Sequence, residues 1–527
     1  MKKALAIVLA LCLLLTVSSA FALELLPAGD TYPIDTDATI SWYVQGSLSP
    51  HDVYADWTQS PFHTGLIEKT GVNIDWSFPT TGADGNTYTN TLLAEPATMP
   101  NIMGVSKMAD AAMYLNEGII WDLTDYIEEY APAYYAFLHT NPAYDKALKT
   151  DDGKYYAFGF FREDGGWNDS YRGPVVRTDW LEEQGLEIPT TISEFENVIR
   201  VFNEAYGAQF SFAWSRFKEG SLEGAFGAYA TSDATWFIKD GEVGLGNTTE
   251  EWRAYVAWLR SLREDGLFDE DNFSLTDTTI KAKVHDDKVG ISMTSMGQLN
   301  NWNKEEVAAG REGTWIGIPY PTDDDGNISS IFGGSGIGGY TYMISKSADE
   351  ETMKLCLQVL DYAYTQEGFL YWNFGTQGVS WDYDENGEPA FLPLVTEDTD
   401  TDPMTKYNGA TWGSACIQAT KLLYLKNSPA AIAANDAWFY SVPASVSSGW
   451  KWPNGTTFTV EENDELSLLN ASNIGTYASE SFAKFVNGDL DINDDTVWAE
   501  YLANYDTYNL PRILEIRQAC YDRYLSR

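Results

Sequence analysis

Gly153-Lys-Tyr-Tyr-Ala-Phe-Gly-Phe-Phe161, a polar turn ending at Trp167, and then Gly173-Pro-Val-Val-Arg-Thr-Asp-Trp-Leu-Glu-Glu-Gln-Gly-Leu-Glu-Ile-Pro189 form the stretch on which the fold turns. Pro174 opens a β-branched pair, Val175-Val176, which reads as a strand starting straight after a turn. Trp180 and Leu181 begin a short helix that Gly185 ends. Thr191-Ile-Ser-Glu194 has capping-box spacing, in which each side chain satisfies the other residue's orphan backbone N–H. Phe195, Val198, Ile199 and Phe202 then fall at i, i+3, i+4 and i+7, one apolar helical face, and Gly207 closes it.

Upstream, Lys2 and Lys3, the apolar run Ala4 to Val17 and Ala20-Phe21-Ala22 read as a secretory signal cleaved after Ala22. Cys12 is preceded by Leu11, where lipidation wants a small residue, so a lipid anchor there is not expected. Ala38 to Tyr43 is strand-like, Thr58 to Thr70 reads as a helix ending at Gly71, and Val72-Asn-Ile-Asp-Trp-Ser-Phe78 alternates as a second strand. Pro100 to Gly104 is a short third strand, and Trp121 to Pro132 a compact helix. Ligands of open α/β sheets bind beyond the carboxyl ends of such strands, which singles out the loops after Tyr43 and Met103.

Downstream, Phe210 to Trp214 is strand-like, Thr248 to Gly266 a capped helix, and Lys288 to Gly297 a returning strand. Gly333-Gly-Ser-Gly-Ile-Gly-Gly339 is not a nucleotide loop, because no Gly-Lys-Ser/Thr follows and a strand succeeds it. Glycines there suit a hinge. Ser347 to Gly368 reads as one helix. Asp382-x-Asp384-x-Asn386-Gly387 echoes the start of a calcium loop, but Pro393 stands where the twelfth-position acid belongs, so a hairpin turn at Asn386-Gly387 is the preferred reading. Pro511 suits the first turn of a closing helix whose Ile513, Ile516, Cys520 and Tyr524 share a face.

The formal charge of −44 becomes −46 once Lys2 and Lys3 are removed, which excludes nucleic acid and anionic membranes as partners. Cys356, Cys416 and Cys520 are too few and too far apart for a disulfide framework, although one bridge stays open. No Cys/His zinc spacing, P-loop, HExxH or Gly-x-Ser-x-Gly stands out, so neither catalytic residues nor a metal or cofactor is expected. The chain carries 19 Trp and 32 Tyr. Such aromatics can stack on the apolar C–H faces of sugars.

The 173–189 stretch, Leu123-Thr-Asp-Tyr-Ile127, the 288–297 strand, Phe369 to Pro389 and the closing Leu510 to Tyr524 helix resemble, in order, the extracellular solute-binding proteins of family 1, in their LplA-like branch. These are the receptors of carbohydrate ABC importers. Gln377 and Trp381 depart from that branch, where Glu and Tyr are usual. The resemblance implies an α/β, bilobal periplasmic-binding-protein fold of the large, type II-like form. Its lobes would be 23–172 with 293–365 and 173–292 with 366–527, joined by a multi-strand hinge with a cleft between. It also implies a monomeric, non-enzymatic receptor that captures a carbohydrate and delivers it to membrane permease subunits outside the cytoplasm. A secreted polysaccharide-active enzyme, an adhesion module and a peptide or other small-solute receptor are the alternatives. The expected ligand contacts are Trp42, Trp167, Trp214, Trp302, Trp381 and Trp412 for stacking, with Gln45, Asn101, Arg162, Arg216, Asn300 and Ser335 for hydroxyls.

Overall fold

The computed structural model describes residues 23–45, 56–79, 85–105, 111–218, 222–311, 315–329, 336–398, 403–410, 414–442 and 450–527. Nine strands build its two main sheets: β1 (Thr39–Val44), β2 (Asn73–Ser77), β3 (Ile102–Val105), β4 (Phe158–Arg162), β5 (Arg172–Arg177), β6 (Ile291–Ser295), β7 (Trp315–Gly317), β8 (Ile337–Ile344) and β9 (Ile417–Gln418). The first sheet has the order β9-β4-β8-β3-β1-β2. β1 runs parallel to β2 and β3, β8 is antiparallel to both β3 and β4, and β9 is parallel to β4. The carboxyl ends of β1, β2, β3 and β4 therefore share one edge. The second sheet has the order β6-β5-β7, with both outer strands antiparallel to β5.

Local sequence accounts for the deciding stretch. Thr191 Oγ accepts from the Glu194 N–H and the Glu194 carboxylate returns the bond, which starts the helix Ile192–Tyr206. Phe195, Val198, Ile199 and Phe202 are its buried face, and Gly207 ends it at φ +65°. Gly173 in β5 has another reason to be glycine. A Cβ there would lie 2.4 Å from the Trp438 ring, and the Trp438 indole N–H donates to the Pro174 carbonyl at 3.0 Å. The missing side chain lets the helix Pro429–Tyr440 seat directly on β5.

Three local expectations differ from the structure. Trp121 to Pro132 holds only one helical turn, Ile127–Tyr130, because Asp122 closes a turn on Thr124 and Pro132 opens the next helix. Phe210 to Trp214 makes only a single bridge, with Phe268. The helix expected over 347–368 is two helices, Glu350–Asp361 and Gln366–Phe374, since Thr365 caps the second at the Gly368 N–H. The Asn386-Gly387 hairpin is present between Trp381–Tyr383 and Pro389–Phe391, with Gly387 at φ +80°. Cys356, Cys416 and Cys520 are all buried free thiols.

The chain forms two large apolar cores. One gathers residues between Ile40 and Phe161 and between Ile337 and Leu422; the other gathers residues between Trp167 and Tyr320 and between Leu423 and Ile513. This division differs from the expected boundaries in three segments: Trp167, expected in the first lobe, already belongs to the second core, and the other two follow from strand pairing. β6 pairs with β5 and not with the first sheet, so residues 293–320 stay in the second core. β9 inserts beside β4, so residues 371–422, expected in the second lobe, pack in the first core. The chain passes between cores at 162–172, 320–337 and 418–429. The C-terminal helix Leu510–Ser526 spans both. Its Leu510 and Ile513 lie in the second core. Arg527 donates to the carbonyls of Lys146 and Lys149 beside the first, at 3.0 and 2.6 Å. Arg523 and Arg527 both grip Asp151.

Candidate functional site

The parallel pairing of β1 with β2 sets Trp42 opposite Trp76. Their rings stack at 4.8 Å and 30°, and Tyr342 of β8 meets Trp42 edge-on at 5.1 Å. Together they line a narrow crevice toward the carboxyl end of β1, with about 20 Å³ of room inside, enough for about one water, and a mouth open to solvent. The helix Pro61–Thr70 supplies Phe62, His63 and Leu66, and Trp372, Asn408 and Ser414 complete the wall. Gly409 lets the 408–410 segment pass close by Phe62, whose ring would lie 2.3 Å from a Cβ. Its N–H and that of Ala410 bond to the Trp372 carbonyl, which fixes Asn408 in the wall.

The polar groups in this crevice are the informative ones. Trp42, Trp76 and Asn408 are 2, 9 and 3 % exposed. Yet the two indole N–H groups and both ends of the Asn408 amide lack any hydrogen-bond partner among the described residues. Buried polar groups are nearly always paired, and an orphan costs about 1–3 kcal/mol. Three such side chains line this one crevice. His63 does not add charge. Its Nδ1 lies 2.6 Å from Ser60 Oγ, its ring packs edge-on against Trp76, and burial pushes its pKa down to about 3.

A second cluster sits where β4 leaves the same edge. Trp167 stacks on Tyr424 at 5.5 Å and 9°, and its indole N–H donates to Asp436 Oδ1 at 2.9 Å. Burial raises the pKa of Asp436. It also raises that of Glu163, with Asp164 and Glu388 adding to the rise, although the Thr420 N–H donates to its carboxylate. Tyr424 and Tyr440 expose their rings here.

Of the expected contacts, Trp42 lines the crevice. Gln45 follows β1, half-buried at the same edge, and Arg162 ends β4 with its guanidinium 5.7 Å from the Phe160 ring. Trp167 belongs to the second cluster, but its face is covered by Tyr424. Asn300 lies half-buried in the helix Met296–Ala308, outside both clusters. Five others are engaged with partners elsewhere in the protein. Asn101 sits at the amino end of β3, where its Oδ1 accepts from the Ser41 N–H and hydroxyl. Trp214 packs on Phe273 at 4.7 Å, and Arg216 is paired with Asp277. Trp302 is buried edge-on against Trp315 at 5.2 Å in the second core. Trp381 is buried with its N–H on the Gly375 carbonyl. Ser335 and Trp412 lie outside the described residues, as do most of the loops after Tyr43 and Met103. Trp76, His63 and Asn408 were not anticipated. The alternation of residues 72–78 marked a strand, but only the β1–β2 register brings Trp76 to Trp42.

Among the described residues, no group of three or more His, Cys, Asp or Glu could hold a metal ion. No helix among them is long and apolar enough to cross a membrane.

Residues 68–379 match the family model described as bacterial extracellular solute-binding protein. A fructooligosaccharide ABC transporter substrate-binding protein, FusA of Streptococcus pneumoniae serotype 4, is 24% identical over 94% of this chain and 92% of its own. Its structure in complex with kestose superposes with a TM-score of 0.72, covering 93% of this chain and 99% of that one, at 21% identity. The polygalacturonan/rhamnogalacturonan-binding protein YtcQ of Bacillus subtilis is 23% identical over 55% of this chain and 57% of its own. The alginate-binding protein AlgQ2 without calcium ion superposes with a TM-score of 0.73 at 20% identity, over 94% of this chain and 99% of that one.

Proposed function

The chain belongs to the bacterial extracellular solute-binding proteins, and on that premise we propose that it is the receptor of an ABC importer, capturing an oligosaccharide and handing it to membrane permease subunits. The family carries an extracytoplasmic location with it; cleavage after Ala22 and a monomeric state are part of the proposal. The observation that carries the reading is the crevice of Trp42, Trp76 and Asn408. Aromatic walls with unpaired N–H and amide groups match a sugar, which has apolar C–H faces rimmed by hydroxyls.

We infer that the two cores are two lobes: residues 23–165 with 336–422, and 166–329 with 423–527. Their crossings at 162–172 and 418–429, with 320–329 of the third, act as the hinge. A sugar seated on the first lobe closes the second over it by binding the closed state more tightly. Binding without turnover is part of the same proposal. Thermal melting of the purified protein with neutral and acidic oligosaccharides tests it. A true ligand at a hundred times its Kd stabilises by about 2.7 kcal/mol and is recovered unchanged. A sugar that is cleaved, or a full panel without any shift, contradicts the receptor reading.

A further inference from the structure

The relatives differ in the charge of what their names say they bind: alginate and polygalacturonan are polyanions, whereas fructooligosaccharides are neutral. Resemblance leaves that choice open for this chain. We propose that the crevice receives an uncharged sugar ring against its mouth and rejects uronates, an inference that rests on the carbohydrate-receptor reading above.

The argument begins with the wall. Among the described residues, its side chains are aromatic, aliphatic or neutral polar, with no lysine or arginine. A carboxylate moved out of water into such a wall has no cation to pair with, and an unpaired buried charge is among the costliest groups to desolvate. The orphan groups supply neutral hydrogen bonds only: two indole N–H donors, plus one donor and one acceptor from Asn408. Asn408 Oδ1 is the telling atom. It lacks a donor, a sugar hydroxyl provides one, and a carboxylate has none to give and would be repelled by that oxygen. The internal segments outside the described residues contain one lysine, Lys107, and no arginine, so even their sequence offers little to neutralise a polyuronate. Where β4 leaves the binding edge the carboxylates outnumber the cation: Arg162 ends the strand, and Glu163, Asp164 and Asp436 lie beside it. The net charge of −44 adds long-range repulsion that salt can screen, whereas the desolvation penalty in the wall is not screened.

Titration calorimetry of the purified full-length protein separates these terms. The probes are fructo-, manno-, xylo- and malto-oligosaccharides of three to five units, set against oligogalacturonate and alginate oligomers of the same lengths, each at 50 and 500 mM salt. A neutral oligomer should bind at 1:1, with every uronate at least about 100-fold weaker at both salts, as an unpaired charge in a buried wall requires. A uronate that binds as tightly as the best neutral oligomer, or that catches up at 500 mM salt, overturns the inference and leaves the receptor standing. Failure of both classes to bind overturns the receptor reading, and the inference with it.

Discussion

Asn408 is the residue at which stability and binding should part company. Both ends of its buried amide are unpaired, so Asn408→Leu removes an orphan at nearly constant volume. The variant should unfold later, by roughly 1 kcal/mol, and bind its sugar at least tenfold more weakly. A loss of stability, or unchanged affinity in calorimetry, would remove Asn408 from the site. His63 gives a pH test. Its folded pKa of about 3 lies below the ordinary histidine value, so in the acid range the unfolded chain binds a proton that the folded chain does not. Its contribution is fully present above about pH 6.5 and is lost as pH falls toward 3, with a slope of about 1.4 kcal/mol per pH unit. Comparing His63→Phe with the parent by denaturant unfolding from pH 7 to 4 isolates it. The parent should lose stability faster, and parallel curves would show that His63 does protonate in the fold. At this scale the sequence was least legible. It marked tryptophans as candidates, but an indole on a sugar face and an indole in a core share the same local pattern. Trp302 and Trp381 are buried in packing contacts, Trp302 beside a second tryptophan of its own, and what distinguishes the Trp42–Trp76 pair is its place toward the carboxyl edge of the first sheet, which only strand register supplies.

Elements were far more legible, because their signals are local. The capping box at Thr191, the glycine stops at 185 and 207 and the hairpin at Asn386-Gly387 act through backbone groups within a few residues. Errors arose where a helical pattern ran through a new start, as at Thr365, which the apolar spacing does not reveal. The closing helix carries a feature invisible to periodicity. Arg527 is largely buried, with its guanidinium on Asp151 and three backbone carbonyls of the loops around Ala147 and Gly455. Arg527→Ala should lower stability by about 3 kcal/mol, because it strands a partly buried carboxylate and three acceptors. Arg512→Ala breaks only exposed pairs with Glu465 and Glu515 and should change stability by less than about 0.5 kcal/mol. Equal melting temperatures for the two variants would show that the Asp151 grip does not hold the helix to the first core.

At the scale of the molecule, the order of motifs along the chain was enough for the solute-binding fold class, but not for how the chain divides between the two cores. Which core a segment joins depends on pairings between distant strands, β6 with β5 and β9 with β4, and neither leaves a mark in its own sequence. The two cores are joined by three crossings and by the C-terminal helix, so the proposed closure would bend the crossings while the helix end yields or serves as a pivot. Driving such a molecule from 1:99 to 99:1 closed requires the ligand to favour the closed state by about 5.5 kcal/mol. Small-angle scattering of the protein with and without a saturating oligosaccharide, identified by calorimetry, reads that step directly. The account predicts a smaller radius of gyration at one sugar per chain, with no change when a non-binding sugar is added. Stoichiometric binding that leaves the radius of gyration unchanged would contradict it.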